Sequence, residues 1–278
     1  MTDLFEQTDS IISKLDTHVS QWLKTGEEPV FKTVEEGGTG PEMLCLHGLF
    51  GALSNWDSIF PMFQQYTRPI ALQFPLITAP RNDVKVKNLA AYTWYFTKKR
   101  KLDPVILCGN SMGGHVALRM YLADPSAVDC LILTGTSGLY EHSVDSLPVR
   151  PDQRFIREHM ARVFYNQSFI TDEAVNTIYE VIRDRKNVLN IINAARSAKK
   201  DYLLKYLKDI KVPTLLLWGE DDLVTTMDVA ETFHKNIPNS TLVTIKNCGH
   251  APMIEHPEWF ASEVKKFLQA NSRHFQNK

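Results

Sequence analysis

The sequence predicts an α/β fold: a mostly parallel central sheet with helices on both faces and an inserted helical cap. Three observations lead there. Short unbroken apolar runs alternate with helical stretches, the pattern of strands buried on both faces. One of these runs, Val105-Ile106-Leu107-Cys108, breaks into Gly109-Asn110-Ser111-Met112-Gly113 and passes at once into a helical stretch from His115 to Leu122. Between Leu139 and Ile210 no strand-like run occurs, and helical periodicity takes over. The expected division is therefore a core of residues 1–138 and 210–278 with a helical cap over 139–209.

Composition narrows the function classes. The chain has 278 residues, enough for one large core, and its 44% hydrophobic and 23% charged content is that of an ordinary globule. A formal net charge of −1 gives no electrostatic reason to expect nucleic acid or an anionic membrane as partner. The block Lys98-Lys99-Arg100-Lys101 reads as a solvated helix end. No apolar run approaches the ~20 residues of a membrane span. The start, Met1-Thr2-Asp3-Leu4-Phe5-Glu6, lacks the apolar core of a signal peptide. Cys45, Cys108, Cys130 and Cys248 lie in or beside strands, which fits reduced thiols and a cytoplasmic location. Neither a cofactor nor a metal is expected. The pairs Cys45-x-His47 and Cys248-x-His250 are too closely spaced for usual zinc-ligand pairs.

In chain order, apolar residues at three- and four-residue intervals from Leu4 through Val19 to Leu23 predict an amphipathic helix over about 3–24, stopped by Gly26 and Pro29. It either docks on its own domain or forms a homodimer contact. Val30 to Val34 predicts a strand, and Met43 to Leu46 a buried one that runs into His47-Gly48-Leu49-Phe50-Gly51. Ile70 to Phe74 is the next strand, closed by Pro75. A helix from Asn88 to Lys101 leads back to the Val105 strand. Later strands are Val128 to Leu133, Pro213 to Trp218 and Thr241 to Ile245. Within the cap the periodicity gives helices over Arg154–Tyr165, Asp172–Arg185 and Val188–Lys199. Thr171 is the expected N-cap of the second, with Asp172 and Glu173 complementing its dipole. A closing helix begins at Pro257.

Three residues stand out chemically. The strand–turn–helix context of Gly-x-Ser-x-Gly is that of a nucleophile elbow, which strains the backbone at Ser111 and exposes its hydroxyl. The Met112 N–H then lies at the positive end of the new helix, where it can face an anion. A serine needs a base, and the base needs a third group to fix its tautomer. Asp222 follows the Leu215–Trp218 strand in Gly219-Glu220-Asp221-Asp222, and His250 follows the last strand in Cys248-Gly249-His250. The chain order Ser111, Asp222, His250 is nucleophile, acid, base. Asp221 is the alternative acid, but the spacing from Trp218 favours Asp222 and leaves Asp221 as a solvated turn residue. His47 reads as shaping its loop and His115 as locally packed or bonded. His142, His159 and His256 read as surface or structural residues.

On these motifs the chain resembles the α/β-hydrolases over roughly residues 40–270. The resemblance implies that His47-Gly48 opens an oxyanion loop after the family's third strand. Leu49 and Met112 would then supply the oxyanion-hole N–H groups. It also places the cap between the sixth and seventh strands of the family's sheet. Gly109 to Gly114 and Ile170 to Val175 are similar to the meta-cleavage-product C–C bond hydrolases. Those enzymes carry a pocket arginine before a tyrosine where this chain has Ile178 before Tyr179, and an aromatic where it has Ala251. His47-Gly48-Leu49-Phe50-Gly51 resembles simple carboxylesterases instead.

The expected function is therefore serine hydrolysis of small to medium apolar acyl or aryl esters through Ser111, His250 and Asp222. The alternatives are C–C cleavage of a vinylogous diketone and, third, a non-enzymatic small-molecule receptor. Phe50, Trp56, Phe155, Phe164, Ile178 and Tyr179 are the expected lining of an apolar pocket for that substrate.

Overall fold

The computed structural model describes residues 2–17, 20–35, 37–51, 53–140 and 151–276. Its strands are β1 (Thr33–Glu35), β2 (Glu42–Leu46), β3 (Arg68–Leu72), β4 (Val105–Asn110), β5 (Val128–Thr134), β6 (Thr214–Gly219) and β7 (Ser240–Ile245). They form one sheet in the order β1-β3-β2-β4-β5-β6-β7. Only β1 is antiparallel, pairing Val34 with Ala71; β2 through β7 run parallel. Every residue of β4, β5 and β6 is buried, as central strands covered on both faces require.

The helices are α1 (Thr2–Lys14), α2 (Gln21–Thr25), α3 (Phe60–Phe63), α4 (Val86–Arg100), α5 (Met112–Ala123) and α6 (Gln153–Val163). They continue with α7 (Asp172–Ile182), α8 (Arg185–Lys200), α9 (Met227–Asn236), α10 (Pro252–Glu255), α11 (Pro257–Asn271) and α12 (Arg273–Gln276). The pleat divides the core into two layers. Leu44, Leu46, Val105, Leu107, Leu216 and Trp218 pack with residues of α1, α4, α5 and α9. Their neighbours Met43, Cys45, Ile106, Cys108, Leu215 and Leu217 pack on the other face with α3, α10 and α11. Each fully buried leucine of this kind contributes about 2 kcal/mol relative to exposure.

A third, smaller cluster holds α6, α7 and α8 together through Ile156, Met160, Val175, Ile182, Val188 and Ile191, with Leu49 and Phe50 packed against it. These helices lie in the chain between β5 and β6. The family's strand count would put that insertion between its sixth and seventh strands. Here Met43–Leu46 is the second described strand rather than the third, because among the described residues only β1 precedes it.

The single N-terminal helix expected over 3–24 is two helices. Asp16 has φ 50°, in the left-handed region, and an α-helix cannot continue through it. Val19, part of that expected helix, lies outside the described residues, as does His142. Ile11, Ile12 and Leu15 of the α1 region are buried in the first layer. Phe5 and Trp22 meet Tyr95 of α4 at ring distances of 5.7 and 4.8 Å. The chain between α1 and α2 is fastened by Thr17 donating to Asn88 Oδ1 at 2.6 Å.

Behind the sheet's centre, Asp201 at the end of α8 collects the charges of α5. It accepts from Arg119 Nε at 2.6 Å and Nη2 at 2.5 Å, and pairs with His115 Nε2 at 3.0 Å. Burial alone would raise the Asp201 carboxyl, but the hydrogen bonds from His115 and Arg119 outweigh it and hold the group at about 2. No helix among the described residues is long and apolar enough to cross a membrane.

Candidate active site

The turn from β4 into α5 holds a strained residue. Ser111 has φ 54° and ψ −120°, a conformation that costs a non-glycine residue about 1–3 kcal/mol. Its own backbone holds it there. Ser111 N–H donates to Thr134 O at 3.0 Å, and Ser111 O accepts from Gly114, His115 and Ser137 N–H at 3.1, 3.2 and 3.1 Å. A Cβ at Gly113 would stand 2.1 Å from Leu46 O, and one at Gly109 2.5 Å from Gly114 N. Glycine at both positions lets strand, turn and helix close on one another.

Asp222 lies in the turn after β6 and is buried. Its Oδ1 accepts from Val224 and Thr225 N–H at 2.7 and 3.0 Å, and its Oδ2 accepts from Thr225 Oγ1 at 3.0 Å. The remaining capacity of Oδ2 faces His250 Nδ1 at 2.8 Å. That contact makes Nδ1 the ring nitrogen that faces the carboxylate. Asp221, one residue earlier, is exposed and not idle: its Oδ2 accepts from Asn247 N–H at 3.0 Å and so fastens the histidine loop. Asn110, beside Ser111, donates from Nδ2 to His250 O at 3.0 Å and to Thr134 O at 3.2 Å. The strand that carries the serine is thereby tied to the loop that carries the histidine.

His47 lies beneath the loop after β2. It contacts Gly48 O through Nδ1 at 2.7 Å and accepts from Phe74 N–H through Nε2 at 2.9 Å. Burial lowers its pKa to about 4, so it is a neutral strut. Among the described residues neither the Leu49 nor the Met112 N–H donates to another group. Gly48 meanwhile lies close enough to Ser111 that a Cβ there would come within 3.1 Å of the serine Cβ.

Ser111 and His250 open into one cavity of about 470 Å³, which Gly48, Leu49 and Asn110 also line. Three of the six expected lining residues, Phe50, Phe164 and Ile178, are there. Trp56, Phe155 and Tyr179 are not. Trp56 is fully buried in the second core layer with Ile59, Phe60 and Phe63. Phe155 stacks behind His159, and Tyr179 packs within the helical insertion.

His159, read from sequence as a surface or structural residue, packs between aromatic rings and also reaches the cavity. It lines the cavity, its ring edge-on to Phe50 at 5.0 Å. Burial, the neighbouring His250 and Arg162 lower its pKa to about 4, so its imidazole is neutral near pH 7. The helical period contains the signal for it. His159 falls on the same face as Phe155, Ile156, Met160 and Val163, which is the face turned inward. Thr225 and Glu255, which hold Asp222 and Gly249, have no comparable sequence mark.

A serine held in a strained turn and a histidine paired with a carboxylate thus line one cavity. Residues 41–257 match the family model of the alpha/beta hydrolase fold. The chain is 29% identical over 248 residues to 2-hydroxy-6-oxo-6-(2'-aminophenyl)hexa-2,4-dienoic acid hydrolase of Metapseudomonas resinovorans, covering 84% of this chain and 86% of that one. It is 27% identical over 264 residues to the monoacylglycerol lipase ABHD6 of Mus musculus, covering 83% of this chain and 76% of that one. The crystal structure of MGS-MChE2, an alpha/beta hydrolase from the metagenome of lagoon sediments at Mar Chica, superposes with a TM-score of 0.72 and 31% identity, over 88% of this chain and 97% of that one. The chain belongs to the α/β-hydrolase family.

Proposed function

We propose that this protein is a serine hydrolase that cleaves carboxylic esters of small to medium apolar acyl or aryl groups. The observation that carries the reading is the shared cavity: Ser111 in its strained turn and His250, paired with Asp222 at 2.8 Å, face the same 470 Å³ space. In the proposed reaction Ser111 Oγ attacks the ester carbonyl carbon while His250 Nε2 takes the hydroxyl proton. Asp222 keeps the other imidazole proton on Nδ1 and stabilises the cation that forms. The Leu49 and Met112 N–H groups donate to the tetrahedral oxyanion, each worth about 3 kcal/mol of barrier. Collapse breaks the bond to the leaving oxygen, which takes the proton from His250. Water then attacks the acyl-enzyme in the same way, releasing the acid and restoring Ser111.

The helices between β5 and β6 act in this reading as the cap that roofs the cavity, with residues 139–209 as its span. The lining selects for neutral substrates. Among the described residues that form the cavity there is no lysine or arginine, and the one carboxylate, Glu173, is exposed. A substrate carboxylate would enter without a partner for its charge.

A second reading, C–C bond hydrolysis of a vinylogous diketone by the same residues, is favoured by the similarity to the dienoic acid hydrolase. One experiment separates them. Turnover of p-nitrophenyl esters and of a ring-fission dienone is compared in the parental protein and in Ser111→Ala. The ester reading expects turnover of the esters that Ser111→Ala abolishes, and faster turnover of the dienone overturns it in favour of C–C cleavage. Parental-level ester turnover in Ser111→Ala overturns both.

A further inference from the structure

We infer that His159 is a specificity-determining residue of the cavity, one that recognises an oxygen-bearing substituent on the acyl or alcohol arm of the substrate. The inference deepens the ester reading and rests on it. The substrate class it names is esters with a keto, hydroxyl or ether oxygen on the acyl or alcohol arm, in preference to their hydrocarbon counterparts.

The position of His159 makes the argument. It comes from α6, on the insertion's side of the cavity, whereas Ser111 sits at the sheet's edge. Phe50, Met160, Val163, Phe164 and Ile178 line the cavity with it, as do the polar Asn55, Thr171 and Thr177. Two rings fix its plane, Phe50 edge-on at 5.0 Å and Phe155 stacked at 6.3 Å with an interplanar angle of 17°. Among the described residues neither ring nitrogen has a hydrogen-bond partner. The ring is kept neutral by burial and by the nearby His250 and Arg162, and so carries one N–H donor and one nitrogen acceptor at the cavity wall. A hydrocarbon arm that displaces water from those two atoms leaves them unpaired, while an oxygen-bearing arm satisfies one of them. A site built in this way discriminates against the analogue that lacks the polar atom, and more strongly than an apolar wall discriminates by size.

The test uses matched pairs of p-nitrophenyl and alkyl esters that differ only by a keto or hydroxyl group on the acyl chain or on the alcohol. The parental protein is expected to favour the oxygenated member of at least one pair. His159→Leu is expected to lower kcat/KM for that member by about tenfold while changing the hydrocarbon member less than about threefold. His159→Gln, which keeps a donor and an acceptor, is expected to restore most of the preference. A role in packing alone would lower both members together, with no recovery in the glutamine variant, and would overturn the inference. Absence of any oxygenated preference in a protein that turns over the hydrocarbon esters also overturns it and leaves the ester reading standing. Absence of all ester turnover in the parental protein overturns both.

Discussion

His250 donates its backbone N–H to the carbonyl oxygen of Val163, the last residue of α6, at 2.7 Å. The histidine loop and the helical insertion are therefore joined by main chain rather than merely stacked. Glu255 strengthens the joint from below. Its Oε1 accepts from Gly249 N–H at 2.7 Å and its Oε2 from Asn166 N–H at 2.8 Å. One carboxylate thus spans the loop before His250 and the chain just after α6.

Glu255 is accordingly expected to act on catalysis through the position of His250. Each of its hydrogen bonds is charge-assisted, worth about 1.5–3 kcal/mol when both ends are ordered. Glu255→Ala is expected to lower kcat by about tenfold, with KM moving less than about threefold, and to lower the melting temperature by about 2–6 °C. Steady-state kinetics and a thermal melt measured together check this. A lower melting temperature with unchanged kcat would confine Glu255 to stability.

The two neighbouring aspartates are expected to separate by role. Asp222→Asn presents an amide to His250 Nδ1, which favours the wrong tautomer, and kcat is expected to fall by about 10⁴ at pH 7. Asp221→Asn keeps an acceptor for Asn247 N–H, and kcat is expected to change less than about threefold. Equal losses in the two variants would assign the acid's part to the turn as a whole.

How far the sequence discloses this site depends on whether a residue's job is local. Ser111 is legible because Gly109 and Gly113 answer to contacts within the turn itself and with the adjoining strand β2. Asp222 and His250 are legible because each follows a strand in a parallel sheet, which brings strand ends to one edge. The strands of the core are legible for the same reason, being unbroken apolar runs. Trp56 is misread because an aromatic residue shortly after the His47–Gly51 loop can turn either upward or into the core, and nothing in its neighbours decides. The N-terminal helix is misread as continuous because apolar spacing survives across Asp16, where the backbone turns left-handed. Glu255 and Asp201 escape detection because their partners, Asn166 and Arg119, lie 89 and 82 residues away.

The charge selection proposed for the cavity is expected to reverse at Ile178. The side chain lines the cavity on α7, partly buried, where an arginine would reach the space without disturbing the β-strands. Ile178→Arg is expected to raise kcat/KM for an ester with a free carboxylate on its acyl arm by about tenfold relative to the neutral ester of the same size, through pairing of that charge. Raising the ionic strength is expected to shrink the gain, since the residue is only partly buried. A gain that is the same for charged and neutral esters would mean that the change acts through shape instead.

The Asp201 network gives the fold a specific acid weakness. The carboxyl titrates at about 2 in the folded chain, well below its ordinary value of about 3.9. A carboxylate held down in this way stabilises the fold above its unfolded pKa and loses that contribution as pH falls through the folded value. The contribution is about 2.6 kcal/mol at pH 7 and roughly half of that at pH 3. Asp201→Asn removes it and leaves Arg119 buried without its counter-ion, so the variant is expected to be about 3 kcal/mol less stable at neutral pH. The gap between parental and variant proteins should narrow by about 1 kcal/mol between pH 7 and pH 3, as measured by urea unfolding at each pH. A gap that stays constant over that range would mean that Asp201 is protonated, or unpaired, in solution. Because His115 and Arg119 lie on the helix that begins at Met112, the same variant is expected to loosen the elbow and lower kcat with the stability; preserved kcat in the folded fraction would show that the turn is held by its own backbone bonds alone.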